Sequence, residues 1–406
     1  MYNLKNKLNL LNGVTNLIFL FCTFLTYNIG TLFYNSAQSP DFGKYIKYIE
    51  YYLGDRASTE LEQGNLYYYL VSKVIDIKSN SINPRSFEEY ISYSIQTTNF
   101  IIFLIFLFGF YLFFKLKGFK DNEIKIIMIL LNFFPPLLTL RLIYKPEILI
   151  LCLFMWVLYF FEKYLVTSNK FELINISLFL SLIISTKITS AIMVLIFLSL
   201  NYSPHFWKNE RKLFILMIPI TGLLFAVLAY ENFTINQQVF FSVPPEVLYQ
   251  EKADLRFIYN INFKELIFSP YKDFHSDSMM GIILLETFDD YFQLYWNTDS
   301  SLFHRNQEKP HIFINAYLSI LLTFFFYISS FYISRVYKKE KILILSPLIG
   351  ISTMCFISLF FIFESSSGDM MKNYYYSFFL ILSFSYVMFY CIRETKILKY
   401  IVILIF

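Results

Sequence analysis

Four cations stand where an apolar chain should carry few. Arg141 and Lys145 flank a short turn between two apolar runs, Lys187 sits in a later turn of the same kind, and Lys372 follows a later apolar run. A charge set in apolar sequence is costly and tends to face a cavity or a partner. Arginine offers planar, bidentate contacts to phosphate and lysine a point charge. A set drawn from several helices therefore suits one anion, such as the phosphate of a lipid carrier. The competing role is snorkelling of these long side chains to lipid headgroups. The acidic counterpart is Asp41, one residue past Pro40 and just beyond the first apolar run. Pro40 stops the preceding helix from continuing unbroken, which places Asp41 at the membrane surface. A carboxylate there can take a proton from a hydroxyl as a general base. It can also simply cap the tyrosine-rich helix that follows.

The elements that must position these residues are membrane helices. Hydrophobic residues make up 56% of the chain and charged residues 16%, against about a quarter charged in soluble domains. Together with several long apolar runs, this deficit indicates an integral membrane protein of the all-α class. Spans are expected near 14–34, 97–114, 123–143, 147–165, 172–186, 188–202, 213–231, 311–334, 342–363 and 374–392. The whole chain, 1–406, reads as one polytopic membrane domain. Its apolar tail, 397–406, is too short to cross and reads as a surface segment or the start of a further span.

Orientation follows from the lysines and arginines of the short loops. Lys5, Lys117, Lys163, Arg211, Lys339 and Arg393 fall in alternate loops, which places both termini and these loops inside. The long loops 35–96 and 232–310 then face outward. The stretch 172–202 is short for two spans, and one long helix is the alternative. The charge alternation favours two short helices with Ser185, Thr186 and Lys187 at an outer turn. Pro135 and Pro136 predict a break near the outer end of the third span. In the first outer loop, Leu66, Leu70, Val74 and Ile77 recur at near-helical spacing with charges between them, the pattern of a helix lying in the interface.

Other functions find little purchase. The basic residues are scattered through short loops, not gathered on one face, so no nucleic acid partner is expected. The four cysteines lie inside apolar runs with no ligand spacing, and the four histidines are dispersed. No metal site is expected from them.

The arrangement resembles the GT-C class of membrane glycosyltransferases, on both topology and local residues. The first outer loop carries Asp41, then Tyr45, Tyr48, Glu62, Gln63, Leu66, Tyr67 and Tyr68. The turn into the fourth span reads Lys145-Pro146-Glu147, and Thr186-Lys187 ends a later helix. The second outer loop carries Glu286, Phe288, Asp290, Tyr291 and Trp296. The chain departs from the pattern at Asn65, where many relatives have proline, and at Asp289, where many have glycine.

This resemblance implies a bundle of about 10 transmembrane helices with amphipathic surface helices in the first outer loop. It implies a polyprenyl-phosphate sugar donor, a lipid or glycan acceptor, and transfer, usually with inversion, at the extracytoplasmic face of a bacterial plasma membrane. Asp41 would be the base. Glu62, Gln63, Tyr67, Glu147 and Asp290 would bind substrate, with Arg141, Lys145, Lys187 and Lys372 on the phosphate. No cofactor is implied, and dependence on a divalent metal stays open because members of the class differ. Two alternatives remain: a lipid-linked saccharide polymerase or ligase, for which the arginine candidates are Arg256 and Arg305, and a non-enzymatic flippase or transporter. The latter would favour inverted repeats and charge at mid-membrane, and the sequence shows neither.

Overall fold

The computed structural model describes residues 2–33, 36, 42–53, 66–79, 87–209, 220–223, 225–226, 230, 256–268, 278–288, 310–361 and 373–394. Among them there are helices and turns and no strand. The helices are α1 (Tyr2–Phe33), α2 (Phe42–Leu53), α3 (Leu66–Ser79), α4 (Phe87–Leu116), α5 (Asp121–Leu131), α6 (Pro135–Leu142), α7 (Glu147–Thr167), α8 (Phe171–Thr186) and α9 (Ile188–Asn209). They continue with the short α10 (Arg256–Tyr259), α11 (Phe263–Phe268) and α12 (Met279–Glu286), then α13 (Pro310–Val336), α14 (Lys341–Ile344), α15 (Ser346–Phe361) and α16 (Asn373–Glu394).

Five of these are long and apolar enough to cross a membrane: the stretches Gly13–Leu32, Tyr90–Leu116, Glu147–Thr167, Ile314–Val336 and Tyr375–Glu394. A sixth crossing is α5 and α6 taken together, bent by 61°. The prolines cause this break. Phe134, before Pro135, is extended at φ −69° and ψ 116°, and Pro135 opens α6 where its missing N–H is not needed. Three more of the expected spans give shorter apolar stretches among the described residues, Phe171–Thr186, Ile188–Tyr202 and Ser346–Phe356. The expected span 213–231 falls largely outside the described residues.

α7 runs along both α4 and α8, and α16 packs against α15, α13 and α6. α8 and α9 are joined by Lys187 alone, whose backbone is extended at φ −162°. Side chains show that the two helices run in opposite directions along α7. At one end Lys187 pairs with Glu147; at the other, Glu172 of α8 pairs with Lys163 and the Tyr202 hydroxyl of α9 donates to Glu162. From Glu147 to Glu162 is fifteen residues, about 22 Å of rise. The bundle therefore has two landmarks, a Glu147 end and a Glu162 end.

Ion pairs gather at the Glu162 end. Lys117 Nζ lies 2.7 Å from Glu162 and 3.2 Å from Glu340. The Tyr202 and Tyr386 hydroxyls donate to the same two carboxylates, at 3.0 and 3.3 Å. Lys117 is delivered by a tight turn after α4, closed by Gly118 at φ +80°, a conformation that glycine adopts without steric cost. Arg393 of α16 pairs with Glu123 of α5 at 2.7 Å. A second close backbone approach lies between α15 and α16. A Cβ on Gly350 would stand 2.7 Å from Phe379 and 2.9 Å from Tyr376.

α3 packs its tyrosine side into the bundle. Tyr67, Tyr68, Val71 and Ile75 are buried, whereas Leu66, Leu70 and Val74 form a half-buried flank. Packing against α2 and α4 turns the tyrosine face inward. Tyr48 of α2 stacks on Tyr68 with ring centres 4.2 Å apart.

Candidate functional site

The turn from α6 to α7 is the hub of the Glu147 end. Ile143 is extended, and Pro146 precedes α7 and accepts hydrogen bonds from the N–H groups of Leu149 and Ile150. Glu147 thus occupies the first turn of α7, where the positive end of the helix dipole favours a carboxylate. Asn99, buried in α4, holds the turn from below. Its amide donates to the carbonyls of Arg141 and Ile143 at 3.2 and 2.8 Å, and its Oδ1 accepts from the Tyr67 hydroxyl at 2.9 Å. Tyr144, fully buried, meets the rings of Tyr67 and Tyr68 at 5.8 and 5.3 Å. Ser36, just past α1, donates to the Leu142 carbonyl. Burial pushes the Tyr67 phenol well above its ordinary pKa, and the nearby negative charge of Glu147 pushes it the same way.

Glu147 is fully buried. Its Oε1 accepts from Lys187 Nζ at 2.5 Å, and its Oε2 makes no hydrogen bond among the described residues. An unsatisfied buried acceptor costs about 1–3 kcal/mol, more when charged. Lys187 Nζ also stands 4.0 Å above the Tyr375 ring. The next residue of α16, Tyr376, has its hydroxyl 3.5 Å from Thr287 Oγ1, which follows α12. Glu286 is buried beside Thr287, and the Phe288 ring packs 5.9 Å from Phe134 at the proline break. The start of the expected second-loop segment therefore adjoins the helix that carries the Lys187 aromatic contact.

Arg141 is buried to 4% exposure and stands in no ion pair among the described residues. Its Nη1 donates to Thr26 Oγ1 at 3.0 Å, with a longer contact of 3.4 Å to Asn132 Oδ1. Its guanidinium lies 4.2 Å over Phe103. Beside it is a cavity of about 10 Å³, edged by Thr26, Thr31, Gln96 and Phe100, with room for about one water. Arg141 thus engages α1 and α5, whereas Lys187 engages α7 and α16. Lys145 is buried in the turn between them.

Of the residues expected at a site, the structure brings Tyr67, Lys145, Glu147 and Lys187 to one end of the bundle, with Arg141 one turn away. Asp41, Glu62, Gln63, Asp290 and Lys372 lie outside the described residues. No group of three metal-ligating side chains occurs among the described residues. Asn99 and Tyr375 were not anticipated. The signal for Asn99 was present, since it is an amide directly followed by the run from Phe100 to Phe108 of phenylalanine, isoleucine and leucine only. Comparison with known protein families, curated proteins and solved structures finds no match to this chain.

Proposed function

We propose that the protein is a multi-pass membrane glycosyltransferase of GT-C type, transferring a sugar from a polyprenyl-phosphate donor to an acceptor. The observation that carries this reading is the unspent polar capacity at the Glu147 end. A buried carboxylate has one oxygen unsatisfied, and a buried guanidinium has no carboxylate partner, each among the described residues. Such groups sit ready for a ligand that carries both an anion and hydroxyls, as a sugar phosphate does.

In this reading the acceptor hydroxyl attacks the anomeric carbon while the bond to the donor phosphate breaks, its electron pair leaving with the phosphate. Asp41 takes the hydroxyl proton. Arg141, Lys145, Lys187 and Lys372 stabilise the charge that builds on the departing lipid phosphate. Glu147 and the Tyr375 ring hold Lys187 in place, and Glu62, Gln63, Tyr67 and Asp290 bind substrate. The topology is ten crossings, counting α8, α9, α15 and the segment 213–231, with α2 and α3 along the outer surface. The Glu147 end faces the extracytoplasmic side of a bacterial plasma membrane, because the Glu162 end carries the lysine-rich loops.

The deciding experiment incubates the purified chain with a panel of polyprenyl-phosphate sugars and an acceptor extract. Release of polyprenyl phosphate from one donor is expected. A folded preparation that releases none from any donor would defeat the proposal. Cysteines placed at Ser58 and Ser276 should both react with an impermeant thiol reagent in intact cells; labelling of only one would refute the ten-crossing topology.

A further inference from the structure

A groove of about 630 Å³ runs between α9 and the α14–α15 segment. Ile196 and Leu200 form one wall, Leu345 and Leu348 the other, and Thr353 lies at its far end. Lys341 stands at the near end, next to Glu340 and so at the Glu162 end of the bundle. The size is that of a small-ligand site, and the walls offer almost nothing but hydrocarbon. Ile192, Leu195, Ile196 and Leu200 are all exposed, so the α9 face that borders the groove is open on the membrane side of the bundle.

The charge in the stretch leading to Lys341 is one-sided. Arg335, Lys338, Lys339 and Lys341 are all exposed, and none is in an ion pair among the described residues. The one carboxylate in the same turn, Glu340, is directed instead onto Lys117 and Tyr386. The acid that would neutralise this cluster is used to fasten the bundle, and the four positive charges remain for something else. An apolar groove that ends at uncompensated cations fits a molecule with a long hydrocarbon tail and an anionic head.

We propose that this groove binds an anionic phospholipid, with an acyl chain between α9 and α15 and the phosphate at Lys341. Basic pockets between membrane helices attract such headgroups, and each cation near the surface strengthens the attraction several-fold. The site lies at the end of the bundle away from the α6–α7 turn. It does not depend on the glycosyltransferase reading.

The test uses the full chain in detergent, mixed with equal amounts of dioleoyl phosphatidylglycerol and dioleoyl phosphatidylcholine and read by native mass spectrometry. Preferential retention of phosphatidylglycerol is expected. Lys341→Gln should reduce that preference about fivefold, the effect of one headgroup cation. Ser352→Trp places a large ring at an exposed position lining the groove and should abolish retention of either lipid. Both substitutions are at exposed positions, and an unchanged melting temperature shows that the variants fold. Equal retention of the two lipids overturns the proposal. So does a preference that survives Lys341→Gln, or one that persists in a folded Ser352→Trp protein.

Discussion

The two ends of the bundle treat buried charge differently. At the Glu162 end, Glu162, Glu340, Glu123 and Glu172 each hold a cation, and tyrosine hydroxyls reach two of them. Lys117 alone joins the α4–α5 turn to α7 and to the turn before α14. At the Glu147 end, Glu147 holds Lys187 with one oxygen only, and Arg141 meets a hydroxyl, an amide and an aromatic face. A buried charge with a full set of partners fixes geometry, and removing one partner leaves the other stranded. A buried charge with capacity to spare costs stability unless something else completes it. The contrast separates a fastening from the end proposed to take a ligand.

The sharpest way to break this comparison is at Asp41. Asp41→Asn would keep a capping role for this side chain, since asparagine caps about as well as aspartate. Sugar transfer should fall by about 10²–10⁴-fold while expression and donor binding stay normal, as measured by lipid-phosphate release. A fully active variant would move the base to Glu62 or Asp290. The next largest effect is expected at the cations. Arg141→Ala should weaken donor binding about ten- to a hundredfold, the equivalent of one charge-assisted hydrogen bond of about 1.5–3 kcal/mol. Unchanged affinity in both Arg141→Ala and Lys187→Ala would remove them from the site.

The fastening end should respond in stability instead. Glu162→Gln takes the charge from both Lys117 and Tyr202 and should lower unfolding stability by about 1.5–3 kcal/mol, leaving donor affinity unchanged. A loss of donor affinity without a fall in melting temperature would reverse the two assignments. The smallest effect is expected from Tyr67→Phe, which leaves Asn99 Oδ1 short of a donor and should cost about 1 kcal/mol. It carries a pH signature. The folded phenol has a raised pKa, so its contribution is complete below the unfolded value of about 10 and is lost as pH rises beyond it. The wild type should lose stability above that pH more steeply than Tyr67→Phe. Parallel alkaline melting curves would show that the phenol is not as buried as the geometry requires.

Much of the scaffold was legible from residue order. Pro135-Pro136 forecast a break, and the chain bends there by 61° because proline removes donors and forces Phe134 to be extended. The turn at Lys187 followed from the charge pattern of loops lying far from it in sequence. One break was not legible in the same way: the apolar run near 342–363 continues across Leu345, where α14 ends and α15 begins. Which face of α3 is buried was not legible, because the burial of its tyrosines depends on partners from α2 and α4.

At the site, Lys145, Glu147 and Lys187 were visible as charges out of place. The pairing of Glu147 with Lys187 was not, since forty residues and a helix hairpin separate them. Asn99 was hidden for a related reason. An amide at the head of an apolar run declares that it has partners, but the carbonyls it holds belong to a turn more than forty positions away.

Gly350 determines which wall of the apolar groove can yield. Behind it, α15 meets the side chains of α16 with no room for even a methyl group, while Ile349 and Thr353 face the groove. α15 therefore cannot recede without pushing α16 back. Any widening must come from α9, a helix tethered at its start by the single residue Lys187. From Ile188 to Leu200 that helix is a rod of about 18 Å. A lipid seated against Leu200 and a ligand at Lys187 would push on opposite ends of the same lever.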